Sequence, residues 1–173
     1  MNGSRIDSRR NTFARHNLRA RAKFRRFATV PLRLMVGFGL LAHGFAKWQR
    51  GPEAFAAILQ ALGVPFPHMM AWATIATEIG VGIAFLSGAF IALVSIPAIV
   101  LLVVAIVTVH FPYGFSSIQL LSVTNGRAQF APPGYECALL YIAAILALAL
   151  SDPTTWSIDH YRLSKRGIEF DDF

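Results

Sequence analysis

The sequence predicts an all-α integral membrane protein: a four-transmembrane-helix bundle with a short interfacial helix in its first outer loop and a long capping second outer loop. Three observations lead there. Of its 173 residues 55% are hydrophobic and only 14% charged, where a soluble domain carries roughly 25% charged residues. The apolar residues fall into four stretches, and a bilayer core about 30 Å thick needs about 20 mostly apolar residues per helix. The charge that remains is gathered at one end: residues 1–27 hold nine of the 16 Lys and Arg residues against a single acid, Asp7.

The first span is expected at about 28–48 and the second at 68–87. The third, from 89 to about 111, has no charged residue before His110. The fourth, from about 134 to 151, is the shortest. This divides the chain into a basic, disordered cytoplasmic arm (1–27), a transmembrane domain (28–151) and a cytoplasmic tail (152–173). Lys and Arg beside a first helix stay on the cytoplasmic side, so both ends are expected inside a bacterial inner (cytoplasmic) membrane, with the arm on anionic lipid headgroups. The segment SRRNTF at 8–13 loosely resembles a twin-arginine export signal, but its Phe is shifted by one and no small-residue cleavage site follows. The net charge of +7 belongs to the arm, so no nucleic-acid partner is read from it. One cysteine, Cys137, excludes an intrachain disulfide or a CxxC redox pair.

In the second span Ala76, Gly80, Ala84 and Gly88 recur every four residues, a ridge of small residues expected to seat a neighbouring helix. Gly37 and Gly44 are the matching small residues of the first span. Pro97 removes a backbone hydrogen bond from the third and is expected to bend it. In the first outer loop PEAFAAILQALG (52–63) opens on Pro, closes on Gly and sets Phe55, Ile58, Leu59 and Leu62 on one face, a pattern for an interfacial helix. The second outer loop has about two dozen residues where bundle connections have about 2–8, and its aromatic content suits a cap.

Six ionisable residues are candidates for a ligand or proton site: Arg33, His43, Lys47, Glu78, His110 and Glu136; His68 sits at the interface. At about 1.5 Å per residue, Arg33 lies about 8 Å and Glu78 about 13 Å above the inner edge, so these two are expected to pair. A lone charge at the bilayer centre costs about 2.5–3.5 kcal/mol. Arg33, His43 and Lys47 fall within about 80° on a helical wheel, giving a polar interior with an outer mouth. Each also has a structural reading: a helix clamp for Arg33–Glu78, a snorkelling Lys47, histidines bonded to backbone carbonyls. A haem or metal site from His43, His110 and Glu136 has no motif spacing behind it, and Lys47 opposes a cation there.

The motifs R-x3-G at Arg33 and Gly37, AHGFAKW at 42–48, ATEIGVG around Glu78, HFPYGF at 110–115 and GYE at 134–136 together resemble the DoxX family of small bacterial membrane proteins, over about residues 30–163. The resemblance implies four transmembrane helices. It also implies that Arg33, His43, Gly44, Lys47, Glu78, His110 and Glu136 match the family's polar pattern. Some relatives are the small subunit of a thiosulfate:quinone oxidoreductase or partners in membrane redox and detoxification complexes. The sequence departs from them in lacking a cysteine pair and in its long loop after HFPYGF.

The reading that follows is an accessory subunit of a redox or detoxification system, holding a quinone or small organic molecule in the bundle, with no self-sufficient catalytic motif and with a redox partner protein or a second copy as partner. Lys47, His43 or His110 would donate to a quinone carbonyl, and Glu136 or Glu78 would carry protons. Alternatives from other classes are a small-solute or proton transporter gated by Arg33–Glu78, and a membrane scaffold or assembly factor without ligand.

Overall fold

A computed structural model describes residues 27, 29–154 and 156–167. The arm at 1–26, on which the topogenic and lipid-binding expectations fall, lies outside them.

Helix α1 (Thr29–Arg50) is followed directly by α2 (Pro52–Ala61), then α3 (Pro67–Ser87) and α4 (Ile91–Ala105). The fourth helix runs on through a π-helical turn (Ile106–His110) and a 3₁₀ turn (Phe111–Tyr113). A two-stranded hairpin, β1 (Leu120–Thr124) and β2 (Arg127–Phe130), precedes α5 (Glu136–Ala149) and α6 (Ile158–Ser164). Among the described residues three helical stretches are long and apolar enough to cross a membrane: Thr29–Arg50, Pro67–Ser87 and Ile91–Tyr113. The last apolar helix, α5, has 14 residues and is about 21 Å long, short of a bilayer core by itself.

Proline and glycine punctuate the helices. Pro52 and Pro67 occupy first turns, where the missing amide would have no partner anyway. Gly88, at φ 69°, terminates α3 with a left-handed cap. The next turn is tight: Phe90 is itself left-handed (φ 54°), and the first amides of α4 bond the Asp159 carboxylate, Phe90 N at 2.8 Å and Ile91 N at 3.0 Å. The C-terminal segment is therefore not a separate tail. It docks on the turn between α3 and α4 and supplies the cap α4 lacks.

Helices α1 and α3 lie antiparallel against one another along their lengths, and the close approach is made by glycine. A Cβ on Gly37 would stand 2.9 Å from Leu86 N, one on Gly44 3.1 Å from Ile79 N, and one on Gly82 2.8 Å from Leu41 N. This corrects the expected ridge. Ala76 and Gly80 are exposed, and nothing lies within 4 Å of a Cβ on Gly80; Ala84 is half-buried. Only Gly88 of that set is tightly packed, against Arg33 and Ser157. The seam is the adjoining face of α3, which carries Ile75, Glu78, Gly82 and Phe85, all buried. Spacing of four marks a face without saying whether protein or lipid covers it. The buried acid decides, because a carboxylate must face protein.

The core groups Val36 and Leu40 of α1 with Val81 and Phe85 of α3, Ala98 of α4, and Ile145 and Leu148 of α5. A second cluster, Ala56 and Leu59 of α2 on Ala71 of α3, seats α2 on the start of α3. The second outer loop differs from the expected all-helical architecture by its hairpin, whose residues are exposed throughout.

Candidate functional site

Glu78 is 4% exposed and lies in the middle of α3. Its partner is Lys47: the ammonium donates to Glu78 Oε1. The Lys47 side chain retains 26% of its exposure and that of Glu78 only 5%. The second carboxylate oxygen, Oε2, is buried without a hydrogen-bond partner among the described residues. Gly44 makes the pair possible: a Cβ there would lie 3.0 Å from Glu78 Cβ, so α1 can come close just where the acid stands. Phe55 of α2 lies above, its ring centroid 5.1 Å from Lys47 Nζ, a contact that stabilises an exposed cation by about 0.5–1 kcal/mol. Three elements thus build one small constellation: an acid from below, a cation across the seam, an aromatic ring over it.

The expected Arg33–Glu78 pair does not form. Arg33, 6% exposed, turns to the C-terminal segment, donating from Nη1 to Thr154 Oγ1 at 2.9 Å and from Nη2 to the Trp156 carbonyl at 2.7 Å. The reason is side-chain direction. Every Cα–Cβ bond in a helix tilts toward the helix N-terminus. On two antiparallel helices, Arg33 leans to its own end of the bundle while Glu78 leans toward the other, where Lys47 leans back to meet it. A count of depths along the axes misses this.

The remaining candidates serve other ends. His43 is exposed and makes no polar contact among the described residues. His110 Nδ1 lies 2.9 Å from the Pro133 carbonyl, and Glu136 Oε2 accepts from Ser117 N at 3.0 Å. Both fasten the long segment between α4 and α5. There Gly134 N, Tyr135 N and Glu136 N donate to the carbonyls of Ser116, Gly114 and Phe115, and Tyr135 packs between Phe111 (6.3 Å, stacked) and Phe115 (5.7 Å, edge-on). The HFPYGF and GYE motifs are two sides of one join. His68 pairs with Glu53 at 2.7 Å, both about 70% exposed, a tie between α2 and α3 of small energetic weight. Among the described residues no three His, Cys, Asp or Glu side chains are grouped to hold a metal ion; the structure does not bring His43, His110 and Glu136 together for haem.

Phe55 is the site residue that sequence reasoning left unassigned. Its signal was available: it lies on the apolar face of the interfacial helix, and α2 starts one residue after α1 ends, which folds it back over Lys47.

Residues 28–111 match the DoxX family model. That stretch runs from the start of α1 to the end of the π turn and includes Arg33, His43, Lys47, Glu78 and His110, so the resemblance seen in the motifs is shown for the part of the chain that builds the pair. No curated protein and no solved structure matches the chain.

Proposed function

We propose, from the DoxX domain at residues 28–111, that this membrane protein is an accessory subunit that binds a quinone or a similar small carbonyl compound beside the Lys47–Glu78 pair. One observation carries the reading: a buried carboxylate with one oxygen unpartnered, held by a lysine that is still partly open and roofed by an aromatic ring. Such a ligand needs a donor for its carbonyl, an apolar face to stack on and a group that exchanges protons with it. Lys47 supplies the donor, Phe55 the face and Glu78 the proton group. His43, His110 and Glu136 have no part in this version of the site. In this reading α5 and its flanks make a fourth crossing, and the Arg33 end faces the cytoplasm, as the basic residues of 1–27 favour.

The test is titration of the protein in lipid nanodiscs with a soluble quinone analogue, read by quenching of tryptophan fluorescence, for which Trp48 stands next to Lys47 in the chain. Saturable quenching that is lost in Lys47→Met and weakened in Phe55→Ala supports the reading. Non-saturable quenching, or identical curves in the two variants, rejects it. A transporter reading would have to place its gate elsewhere, because Arg33 bonds the C-terminal segment and Glu78 pairs with Lys47.

A further inference from the structure

At the opposite end of the bundle from Lys47, a cavity of about 270 Å³ lies between the start of α1, the start of α4, the end of α5 and the C-terminal segment. Its lining includes the charged residues Arg33, Asp152 and Asp159 and the hydroxyl residues Ser151 and Thr154. Three charges therefore face one small space, and they are not equivalent. Asp159 is committed, since both of its oxygens accept backbone amides at the start of α4. Arg33 is buried to 94%, taking its exposure of 6%, and is satisfied only by a hydroxyl and a carbonyl. No carboxylate pairs with it among the described residues, and its Nε has no acceptor. Asp152 is exposed and makes neither a hydrogen bond nor an ion pair among the described residues.

A buried guanidinium without a counter-ion is costly unless something else brings the negative charge. The obvious internal solution, Arg33 with Asp152, is not taken, although both line the same cavity. A simple anion entering to neutralise Arg33 would meet Asp152, and a simple cation attracted by Asp152 would meet Arg33. A zwitterion satisfies both. The space is below the range of about 300–1,000 Å³ usual for drug-sized ligands, which suits a headgroup-sized molecule. The cavity also lies where three apolar helices begin or end, the level at which phospholipid headgroups sit.

We propose that this cavity binds a phosphoethanolamine-type zwitterion, its phosphate neutralising Arg33 with help from the Thr154 hydroxyl, and its ammonium donating to Asp152. Gly88 is part of the fit: a Cβ there would stand 2.5 Å from Arg33 Nη1 and from Ser157 Cβ, so glycine keeps the guanidinium against this wall. This site is independent of the Lys47–Glu78 reading and stands or falls without it.

The experiment is native mass spectrometry of the full chain released from nanodiscs made of equal parts phosphatidylethanolamine and phosphatidylglycerol. A parallel titration of the delipidated chain with soluble phosphoethanolamine separates a lipid from a free metabolite as the source of the zwitterion. The wild type is expected to retain phosphatidylethanolamine over phosphatidylglycerol by about three- to tenfold, within what one charge-assisted hydrogen bond supplies. Asp152→Asn removes a charge with no partner among the described residues, so the protein should fold normally while the preference falls to about one. Arg33→Gln should lose both adducts. Should the lipid not be retained while soluble phosphoethanolamine binds in an Asp152-dependent way, the zwitterion is a free metabolite. Equal retention of the two lipids by the wild type with no binding of the soluble form, or a preference unchanged in Asp152→Asn, overturns the proposal.

Discussion

Lys47 and Glu78 form an ion pair across the α1–α3 seam, with the lysine partly open and the acid nearly sealed. The two partners are therefore unequal. Removing the lysine strands a carboxylate that cannot reach water, whereas removing the acid leaves a lysine that can turn outward along its flexible stem.

This asymmetry sets the first prediction. Lys47→Met should lower stability by about 3 kcal/mol, the low end for breaking one side of a buried pair, because the lysine side is itself partly exposed. Glu78→Gln should cost about 1 kcal/mol. Unfolding in mixed micelles titrated with SDS ranks the two. An equal or reversed ranking would mean that the lysine is as buried as the acid.

The glycine seam gives a second. Gly82→Ala places a methyl 2.8 Å from the Leu41 backbone nitrogen, where only a helix shift relieves it, and should cost about 1–3 kcal/mol. Gly80→Ala, two residues away on the open face, should fall within about 1 kcal/mol of the wild type and on the stabilising side. Thermal unfolding of the pair in one detergent distinguishes seam from open face.

The loop join gives a third. A Cβ on Gly134 would lie 2.2 Å from the Gly114 carbonyl, so Gly134→Ala should break the three-amide join between the HFPYGF and GYE segments. Hydrogen exchange should quicken at least about tenfold at Tyr135 and Glu136, as expected for a local loss above 1.4 kcal/mol, while amides in α1 and α3 keep their protection.

Much of this architecture could be read from the sequence, and the parts that could not share a cause. Three of the four apolar spans and the short helix from Pro52 depend on local chemistry, so they were legible. The partner of Glu78 was not, because axial depth ignores the N-terminal lean of helical side chains. Small-residue spacing alone points to Ala76 and Gly80, whereas the seam follows the acid: Glu78 and Gly82 lie four residues apart on one buried face. The hairpin has a local signal in Asn125-Gly126, both left-handed in the structure and the pair that favours a tight two-residue turn. The docking of Thr154, Trp156 and Asp159 has no local signature. It is a tertiary contact satisfying the needs of Arg33 and of the first amides of α4.

A double-mutant cycle tests the central relationship most directly. Stability is measured for Lys47→Met, Glu78→Gln and their combination, and in parallel for Arg33→Met, Glu78→Gln and their combination. The account predicts a coupling of about 1–3 kcal/mol between Lys47 and Glu78, as for groups in contact, and additivity within about 0.5 kcal/mol between Arg33 and Glu78. Strong coupling of Glu78 to Arg33, with none to Lys47, would contradict it.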